Sequence, residues 1–301
     1  MNLKFLETFV WVAQLRSFSL TAERMGTTQA AVSNRIATLE RDLGVRLLER
    51  DARSIALTPQ GERALSRAEE IVRLADAFRQ SIGDTAALSG SVTIGVVDSI
   101  VYAWLPRLIE RVQECFPRIA IELNVDTSLN LTRQICDRQI GVGLMMGPVI
   151  APGVRNIDLC TFDCLWIASP RLALPAEGVT LADVVAHPIF AYSRGSLPHQ
   201  ALLQLIERAG WRRDAVRVYN SNSLSTVTRL IRDGLGLAIL PHVVVREFLA
   251  NGELRVLDVV EHLPPLQFHA VVADRPGDVL PGLIAEKAAE VAAEFGSTDD
   301  C

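Results

Sequence analysis

The sequence predicts an α/β protein that begins with a small, mainly helical domain. Three observations predict this class. Residues 18–50 read as two short helices joined by a tight turn, and residues 59–85 read as one long helix. From residue 91 onward, short apolar strands alternate with amphipathic helices. Such alternation is typical of parallel sheets with right-handed crossovers, and because the strands fall into two sets we expect two α/β subdomains.

The helical domain is expected to begin with a helix over residues 3–15, where apolar side chains recur at helical spacing. Ser19 is expected to cap a short second helix over residues 20–25, and Thr27 or Thr28 to cap a third. The third helix has one apolar stripe, which we expect to face the core: Ala31, Val32, Ile36, Leu39 and Leu43.

The opposite face of the third helix carries side chains that hydrogen-bond base edges and phosphates. A polar helix with small residues at its N-terminus is what a helix-turn-helix needs to read the major groove. We therefore predict DNA contacts from these residues: Thr28, Gln29, Ala30, Ser33, Asn34 and Arg35. Although the chain has a net charge of −5, residues 1–58 hold eight basic and six acidic side chains, so the reading head is locally basic.

A charged turn over residues 49–54 is expected to join two short strands that begin near residues 45 and 56. Arg50 and Arg53 in this turn are placed to reach the sugar–phosphate backbone or the minor groove. A charged turn can also be merely solvated. Beside a reading helix, contact with DNA is the interpretation that we prefer.

The long helix is expected to begin with Thr58 as its cap and Pro59 as its first residue. It would extend about 40 Å at 1.5 Å per residue, too far outside any one domain to bury itself. A partner chain is the simplest way to cover its coiled-coil-like stripe. That stripe consists of Ala64, Leu65, Ala68, Ile71, Val72, Ala75, Phe78 and Ile82.

The remainder of the chain alternates between the two kinds of element. The predicted strands are 91–97, 119–125, 141–147, 163–169, 188–192, 216–220, 237–241 and 266–274. The predicted helices are 100–115, 129–138, 197–209, 224–233 and 279–295.

Residues 1–60 resemble the N-terminal winged helix-turn-helix of LysR-type transcriptional regulators. The matching pieces are LETFVWVAQLRSFSLTAERMGTTQAAVSNRIATLERDLGVRLLER and ALTPQGERAL, and the length and order of the whole chain also fit that family. The resemblance implies three domains: a DNA-binding domain at 1–58, a linker helix at 59–89 and an effector-binding domain at 90–301. The effector domain would contain two Rossmann-like subdomains, 90–161 with 268–301 and 162–267, arranged as in type 2 periplasmic binding proteins.

The resemblance also implies partners. They are double-stranded promoter DNA, a second copy joined through the linker helix, a small-molecule effector and RNA polymerase. Dimer and homotetramer both remain open, as do activation and repression of the target genes.

The ligand of an open α/β sheet binds beyond the carboxyl ends of the strands. Four loops of this kind lead into helices: 97–99, 126–128, 193–196 and 220–223. Helix N-termini favour anions, and Arg194 would add a cation. The resemblance implies a small metabolite, often an acid, so a small organic acid is the expected effector. Asp98 opposes an anion, and we expect it to cap its own helix or to bind an amine.

We predict effector contacts from eight residues: Asp98, Ser99, Thr127, Ser128, Met146, Arg194, Asn222 and Ser223. The alternative is that each loop residue is simply a helix cap, as these residue types usually are at such positions.

Other functional classes lack their signatures. No apolar run reaches the roughly 18 residues of a membrane span, and the N-terminus lacks the pattern of a signal peptide, so we expect a cytoplasmic protein without membrane contact. The five cysteines have no metal-site spacing, and we expect free thiols, no metal and no cofactor. HExxH, GxxxxGK[ST] and GxSxG are absent, so we do not expect an enzyme. A solute-binding protein of the cell envelope would not need the reading domain.

Overall fold

The computed structural model comprises two compact units. It describes residues 2–51, 54–82, 88–175, 177–273 and 278–298. One unit covers residues 1–85 and 274–279, and the other covers residues 86–273 and 280–301. Each unit has its own apolar core. Among the described helices, none combines the length and the apolar character that crossing a bilayer requires.

The first unit is built of helices and one antiparallel hairpin. Its elements are α1 (Leu3–Leu15), α2 (Phe18–Arg24), α3 (Gln29–Leu43), β1 (Leu48–Asp51), β2 (Ser54–Leu57) and α4 (Pro59–Ile82). Helix α1 packs against α2, α3 and α4. The core of the unit is formed chiefly by Leu6, Phe9, Val12, Val32, Ile36, Leu39, Leu47 and Val72.

The ends of the helices are fixed by local hydrogen bonds. Ser17, and not Ser19 as expected, caps α2, because its hydroxyl accepts a backbone N–H at 3.2 Å. Thr28 caps α3 in the same way at 3.2 Å. Helix α3 ends at Gly44, whose positive φ of 68° favours glycine. The assignment of Leu43 to the buried stripe is wrong, since this last residue of the helix is exposed.

Helix α4 begins against the hairpin. The Thr58 hydroxyl accepts the N–H of Gly61 at 2.9 Å. A Cβ atom on Gly61 would lie 2.0 Å from the carbonyl oxygen of Leu47, so a larger residue does not fit here. Ala68 and Val72 are buried in the core that α1 and α4 share. The expectation that the whole helix lies outside any domain is therefore wrong for its first half.

The second unit contains two five-stranded mixed sheets. Sheet one has the order β4-β3-β5-β12-β6, with β3 (Ser89–Val96), β4 (Arg118–Val125), β5 (Val142–Met146), β6 (Val154–Phe162) and β12 (Leu266–Ala273). Sheet two has the order β11-β7-β10-β8-β9, with β7 (Cys164–Ala168), β8 (Ile189–Ala191), β9 (Val218–Asn220), β10 (Leu237–Pro241) and β11 (Arg255–Val256).

Helices connect these strands. They are α5 (Asp98–Ala103), α6 (Leu105–Cys115), α7 (Ser128–Cys136), α8 (Leu181–Val185), α9 (Leu197–Arg208), α10 (Leu224–Arg232), α11 (His242–Ala250) and α12 (Leu280–Thr298). The predicted helix 100–115 is thus two helices that meet at Trp104. The sequence interpretation did not include β6, β11, α8 or α11.

The expectation of wholly parallel sheets is wrong. Strand β12 is antiparallel to β5 and β6, and β7 is antiparallel to β10 and β11. The chain leaves sheet one at Phe162, enters sheet two at Cys164 and returns to sheet one at Leu266. The parallel strands β3, β4, β8 and β9 each lead into a helix, and the candidate ligand residues other than Met146 lie in the four connections or at the start of these helices.

Candidate nucleic-acid interface and ligand cleft

The polar face of α3 is largely open. Gln29, Ala30 and Asn34 are exposed, and Ser33 is half-buried. Thr28 is exposed as well, although its hydroxyl is engaged by the cap of α3. Side-chain amides such as those of Gln29 and Asn34 can pair with adenine in the major groove. These residues remain predicted DNA contacts.

Arg35 is less available than its neighbour on α3. The residue is half-buried, and its Nη1 atom is buried without a hydrogen-bond partner in the described part of the chain. A buried guanidinium nitrogen without an acceptor is costly. Arg35 therefore keeps part of its charged group inside the domain, and Asn34 is the more accessible of the two.

Of the two arginines predicted to contact DNA from the hairpin turn, the structure describes only the backbone of Arg50. Arg50 lies in β1, where its backbone is opposite Ile55 of β2. Nothing is described of the Arg50 side chain, and Arg53 lies outside the described residues. Their contacts with DNA remain predictions.

The four candidate loops of the second unit meet around one small cavity, which we call the polar pocket. Its volume is about 40 Å³, roughly that of one water molecule in the liquid. The lining residues are Val97, Asp98, Ser99, Asp126, Thr127, Ser128, Met146, Tyr192, Ser193, Ser196, Ser221, Asn222 and Leu224. Residues 97–146 of this lining belong to the subdomain of sheet one, and residues 192–224 belong to the subdomain of sheet two. The pocket therefore lies between the two subdomains.

Six of the eight predicted effector residues line this pocket: Asp98, Ser99, Thr127, Ser128, Met146 and Asn222. Two do not. Arg194 is exposed, and no arginine, lysine or histidine is found among the described lining residues. Ser223 instead caps α10 by accepting the N–H of Thr226 at 3.3 Å.

Three helix N-termini surround the polar pocket. Thr127, Ser196 and Ser223 cap α7, α9 and α10, each by accepting a backbone N–H of the first turn at 3.3–3.4 Å. The positive ends of the three helix dipoles therefore lie near the pocket. Capping and ligand binding are not alternatives here, because a capped helix retains further free N–H groups in its first turn.

Asp98 neither caps its own helix nor faces the pocket as a free anion. Its Oδ2 atom accepts the backbone N–H of Leu224 at 2.8 Å. Asp98 begins α5 of one subdomain, and Leu224 begins α10 of the other. The carboxylate therefore joins the two walls of the cleft and occupies the N-terminus of α10.

A second carboxylate, Asp126, was not among the predicted contacts. Its Oδ1 atom accepts the Thr127 N–H at 2.7 Å and the Asn130 side-chain amide at 2.9 Å, while Oδ2 accepts from Gln134 at 3.5 Å. Asp126 is thus engaged by groups of its own helix. Its position directly after β4 was the signal in the sequence that could have identified it.

Tyr192 is another lining residue that was not among the predicted contacts. It is buried, and its Oη atom makes no hydrogen bond of normal geometry with the described residues. Burial raises its pKa well above the ordinary value, reinforced by the thiol of Cys164 and opposed by the nearby Ser99 hydroxyl. The phenol is therefore protonated near neutral pH, and its oxygen is buried. Its place directly after β8 was the available signal.

The described cysteines are free thiols. Burial, and next the charge of Asp163, raise the pKa of Cys164 to about 12. Since the thiolate is the reactive form of cysteine, Cys164 is an unreactive core residue. In the described part of the chain, no group of three or more potential metal ligands is clustered.

Comparison with known proteins finds relatives along most of the chain. The family model described as LysR substrate binding domain matches residues 85–278, and that of the bacterial regulatory helix-turn-helix protein, lysR family, matches residues 3–62. The HTH-type transcriptional regulator DgdR of Burkholderia cepacia is 29% identical over 268 residues, which cover 88% of this chain and 85% of DgdR. A probable hydrogen peroxide-inducible genes activator of Mycobacterium avium is 28% identical over 238 residues, covering 78% and 76%.

Solved structures resemble the chain over its full length. Full-length CbnR, crystallised with its target DNA, has 20% sequence identity and a TM-score of 0.53, with 97% of this chain and 100% of that chain covered. At this level of identity, the likeness shows the fold.

Proposed function

This chain belongs to the LysR family of bacterial transcriptional regulators, and we propose that it binds promoter DNA as a homo-oligomer and changes transcription when a small organic acid occupies the polar pocket. As a member of that family it is a DNA-binding transcriptional regulator and not an enzyme. The proposal concerns three properties of this protein: its oligomeric state, the residues that contact DNA and the chemical class of its effector.

The DNA-binding part of the proposal rests on α3. The helix is capped and its apolar side is anchored by Val32, Ile36 and Leu39, so the exposed Gln29 and Asn34 sit on a rigid support. Phosphate contacts fix register on the duplex, whereas contacts with base edges give specificity. We propose that Arg50 and Arg53 of the hairpin supply some of the phosphate contacts. CbnR, which shares the fold, was crystallised in complex with its target DNA.

The oligomeric part of the proposal rests on α4. Next to the buried Ala68 and Val72, the side chains of Ile71 and Leu74 are exposed, with Leu74 55% exposed. A second copy of the helix would bury these side chains. Two reading heads joined in this way would meet half-sites at least one helical turn of DNA apart. We expect a dimer through α4, with a tetramer decided by further contacts of the second unit.

The effector part of the proposal rests on the polar pocket, and the convergence of three helix N-termini on it is the observation that carries it. Helix N-termini bind carboxylates, and we propose that the phenol of the lining residue Tyr192 donates one more hydrogen bond to the ligand. The two acidic side chains oppose an anion less than their number suggests, because Asp98 and Asp126 already accept hydrogen bonds from the protein. A small acid is therefore the effector that we propose.

Control of DNA binding would follow from a change in the cleft. Asp98 and Leu224 hold the two subdomains together on one side of the pocket. A ligand that prefers one spacing of these walls shifts the population of that spacing. A coupling of about 1–3 kcal/mol between effector and DNA is typical of such regulators. The protein would act in the cytoplasm, where DNA and RNA polymerase are its partners.

The test is a footprint of the full-length protein on the DNA upstream of its own gene and of the divergent neighbouring gene. Metabolites of the neighbouring operon, organic acids first, are then screened for a change in the footprint. Protection of two half-sites and a change with an acid support the proposal. A footprint that only amines or sugars alter would overturn the acid effector, and absence of any protected site would overturn the oligomeric DNA reader.

A further inference from the structure

A second cavity adjoins the polar pocket and is not used in the argument above. We call it the apolar pocket. Its volume is about 280 Å³. Its lining is formed by Ser128, Leu129, Thr132, Cys136, Met146, Gly147, Pro148, Val149, Ile150, Ala151, Ser196 and Leu197. It is therefore several times larger than the polar pocket, which holds about 40 Å³.

The two cavities are parts of one cleft. Ser128, Met146 and Ser196 line both of them. The Ser128 hydroxyl accepts the backbone N–H of Met146 at 3.1 Å, so this shared wall is fixed by a hydrogen bond. A ligand in the polar pocket thus has the apolar pocket directly beside it.

The walls of the apolar pocket are hydrocarbon from both subdomains. Helix α7 contributes Leu129 and the loop after β5 contributes Val149 and Ile150, while Leu197 comes from the start of α9. Ile150 is 95% exposed and Leu197 is 62% exposed, although both are large apolar side chains. Apolar side chains that are exposed together around one cavity indicate a binding surface, whereas apolar side chains scattered singly over a surface are normal.

None of the described lining residues of the apolar pocket is charged. The hydroxyl of Thr132 is already used, since it donates to the Ser128 carbonyl at 2.7 Å. The apolar pocket therefore offers few hydrogen bonds to a ligand, and its surface favours an alkyl group.

We propose that the effector is an amphipathic carboxylic acid, with its carboxylate in the polar pocket and an alkyl chain in the apolar pocket. This inference rests on the proposed function, because it assumes that the cleft binds the effector. A water molecule takes about 30 Å³ in the liquid and a methylene is of similar size, so the volume of about 280 Å³ corresponds to roughly nine methylene groups.

Calorimetric titration of the full-length protein with straight-chain acids tests the length of the chain. Acetate, butanoate, hexanoate and octanoate are the probes. The affinity is expected to rise by about threefold to fourfold for each added methylene that is buried. Hexylamine and hexanol, which keep the chain and change the head, should bind more weakly than hexanoate. Tighter binding of hexylamine would overturn the carboxylate head.

Alkylation of Cys136 reports where the chain lies. Cys136 is exposed and lines the apolar pocket, whereas Cys115 ends α6 and lines neither pocket. Hexanoate should slow the alkylation of Cys136 by a mild maleimide and leave Cys115 unchanged, as followed by peptide mass spectrometry. Equal slowing of both thiols, or of neither at saturating hexanoate, would contradict the placement.

A pair of double variants separates the apolar pocket from general effects. Ile150→Ser with Leu197→Ser removes hydrocarbon from the pocket. Leu235→Ser with Val260→Ser is the control, since these residues are 54% and 86% exposed and line neither pocket. The first double variant should lose most of the advantage of hexanoate over acetate, and the control should keep it.

Failure of this inference can be told apart from failure of the proposed function. Acetate that binds as tightly as hexanoate would overturn the amphipathic effector and leave an acid-binding cleft. If acids of every length fail to bind and to alter the footprint, the acid effector falls and the inference falls with it.

Discussion

The Oδ2 atom of Asp98 lies 2.8 Å from the backbone nitrogen of Leu224 and accepts its N–H. These residues are 126 positions apart in the chain and begin helices of different subdomains. The bond closes one side of the polar pocket and stabilises the N-terminus of α10. Closure of the cleft therefore depends in part on a single charged hydrogen bond.

Replacement of Asp98 by alanine should loosen the second unit. A hydrogen bond to a charged group contributes about 1.5–3 kcal/mol, and because Asp98 is only half-buried we expect about 1–2 kcal/mol less free energy of unfolding. Amide exchange in residues 224–232 should speed up. Urea unfolding and exchange mass spectrometry measure both. Asp98→Asn keeps an acceptor oxygen and should recover part of the loss, and an Asp98→Ala protein as stable as the wild type would refute the role.

Tyr192→Phe should affect stability and binding in opposite directions. The hydroxyl is buried without a hydrogen bond of normal geometry, so its removal should leave the free energy of unfolding unchanged or slightly higher. If the phenol donates to the effector, affinity should fall by about threefold to tenfold, the equivalent of 0.5–1.5 kcal/mol. Tyr219→Phe is the control, because Tyr219 is exposed on β9 and does not line the polar pocket. Unchanged effector affinity in Tyr192→Phe would exclude the phenol as a contact.

The stability of the protein should fall in mild acid, partly through His199. Burial, then the charges of Arg194 and Arg213, lower the pKa of His199, and its Nδ1 atom accepts the N–H of Gly195 at 3.2 Å. The unfolded state therefore binds more protons as the pH drops through about 6.5. The free energy of unfolding that neutral His199 contributes is fully present above that pH and is lost below the lowered pKa. His199→Gln should make the melting temperature less dependent on pH, and a variant whose melting temperature keeps the full pH dependence would contradict this role of His199.

Leu74→Glu should disrupt the dimer. Leu74 is 55% exposed on α4, and a charge in a face covered by a second copy would be desolvated at a cost of several kcal/mol. Sedimentation equilibrium should show monomers, and half-site pairs should no longer be protected. Leu235→Glu, at a leucine that is 54% exposed in the second unit, is the matched control. A dimer that survives Leu74→Glu would place the interface elsewhere.

Local signals in the sequence predicted much of the fold. Apolar spacing gave the observed bounds of α1, and Thr28, one of the two expected residues, caps α3. The break at Trp104 was missed because the apolar spacing continues across it. Strand β6 was missed because it mixes apolar residues with Asn156 and Asp158 and is only partly buried.

The sequence predicted those parts of the candidate ligand site that lie at the carboxyl ends of parallel strands. The rule that ligands bind at the carboxyl ends of parallel strands selected the four loops that meet at the polar pocket. It could not show that Asp98 bonds to Leu224, since no local pattern links residues so far apart. It also overestimated Arg194, because loop position does not reveal whether a side chain faces the pocket or the solvent.

The most direct measurement is quantitative footprinting of the wild-type protein and of Asn34→Ala on the protected promoter site over a range of salt concentrations. Asn251→Ala, at an exposed residue of the second unit, serves as the control. We predict that log affinity falls linearly with log salt, by about 0.9 for each phosphate neutralised. Asn34→Ala should lose about 1–3 kcal/mol of preference for the site over unrelated DNA. Binding that ignores salt, or equal preference in all three proteins, would contradict the account of α3 as the reader of the operator.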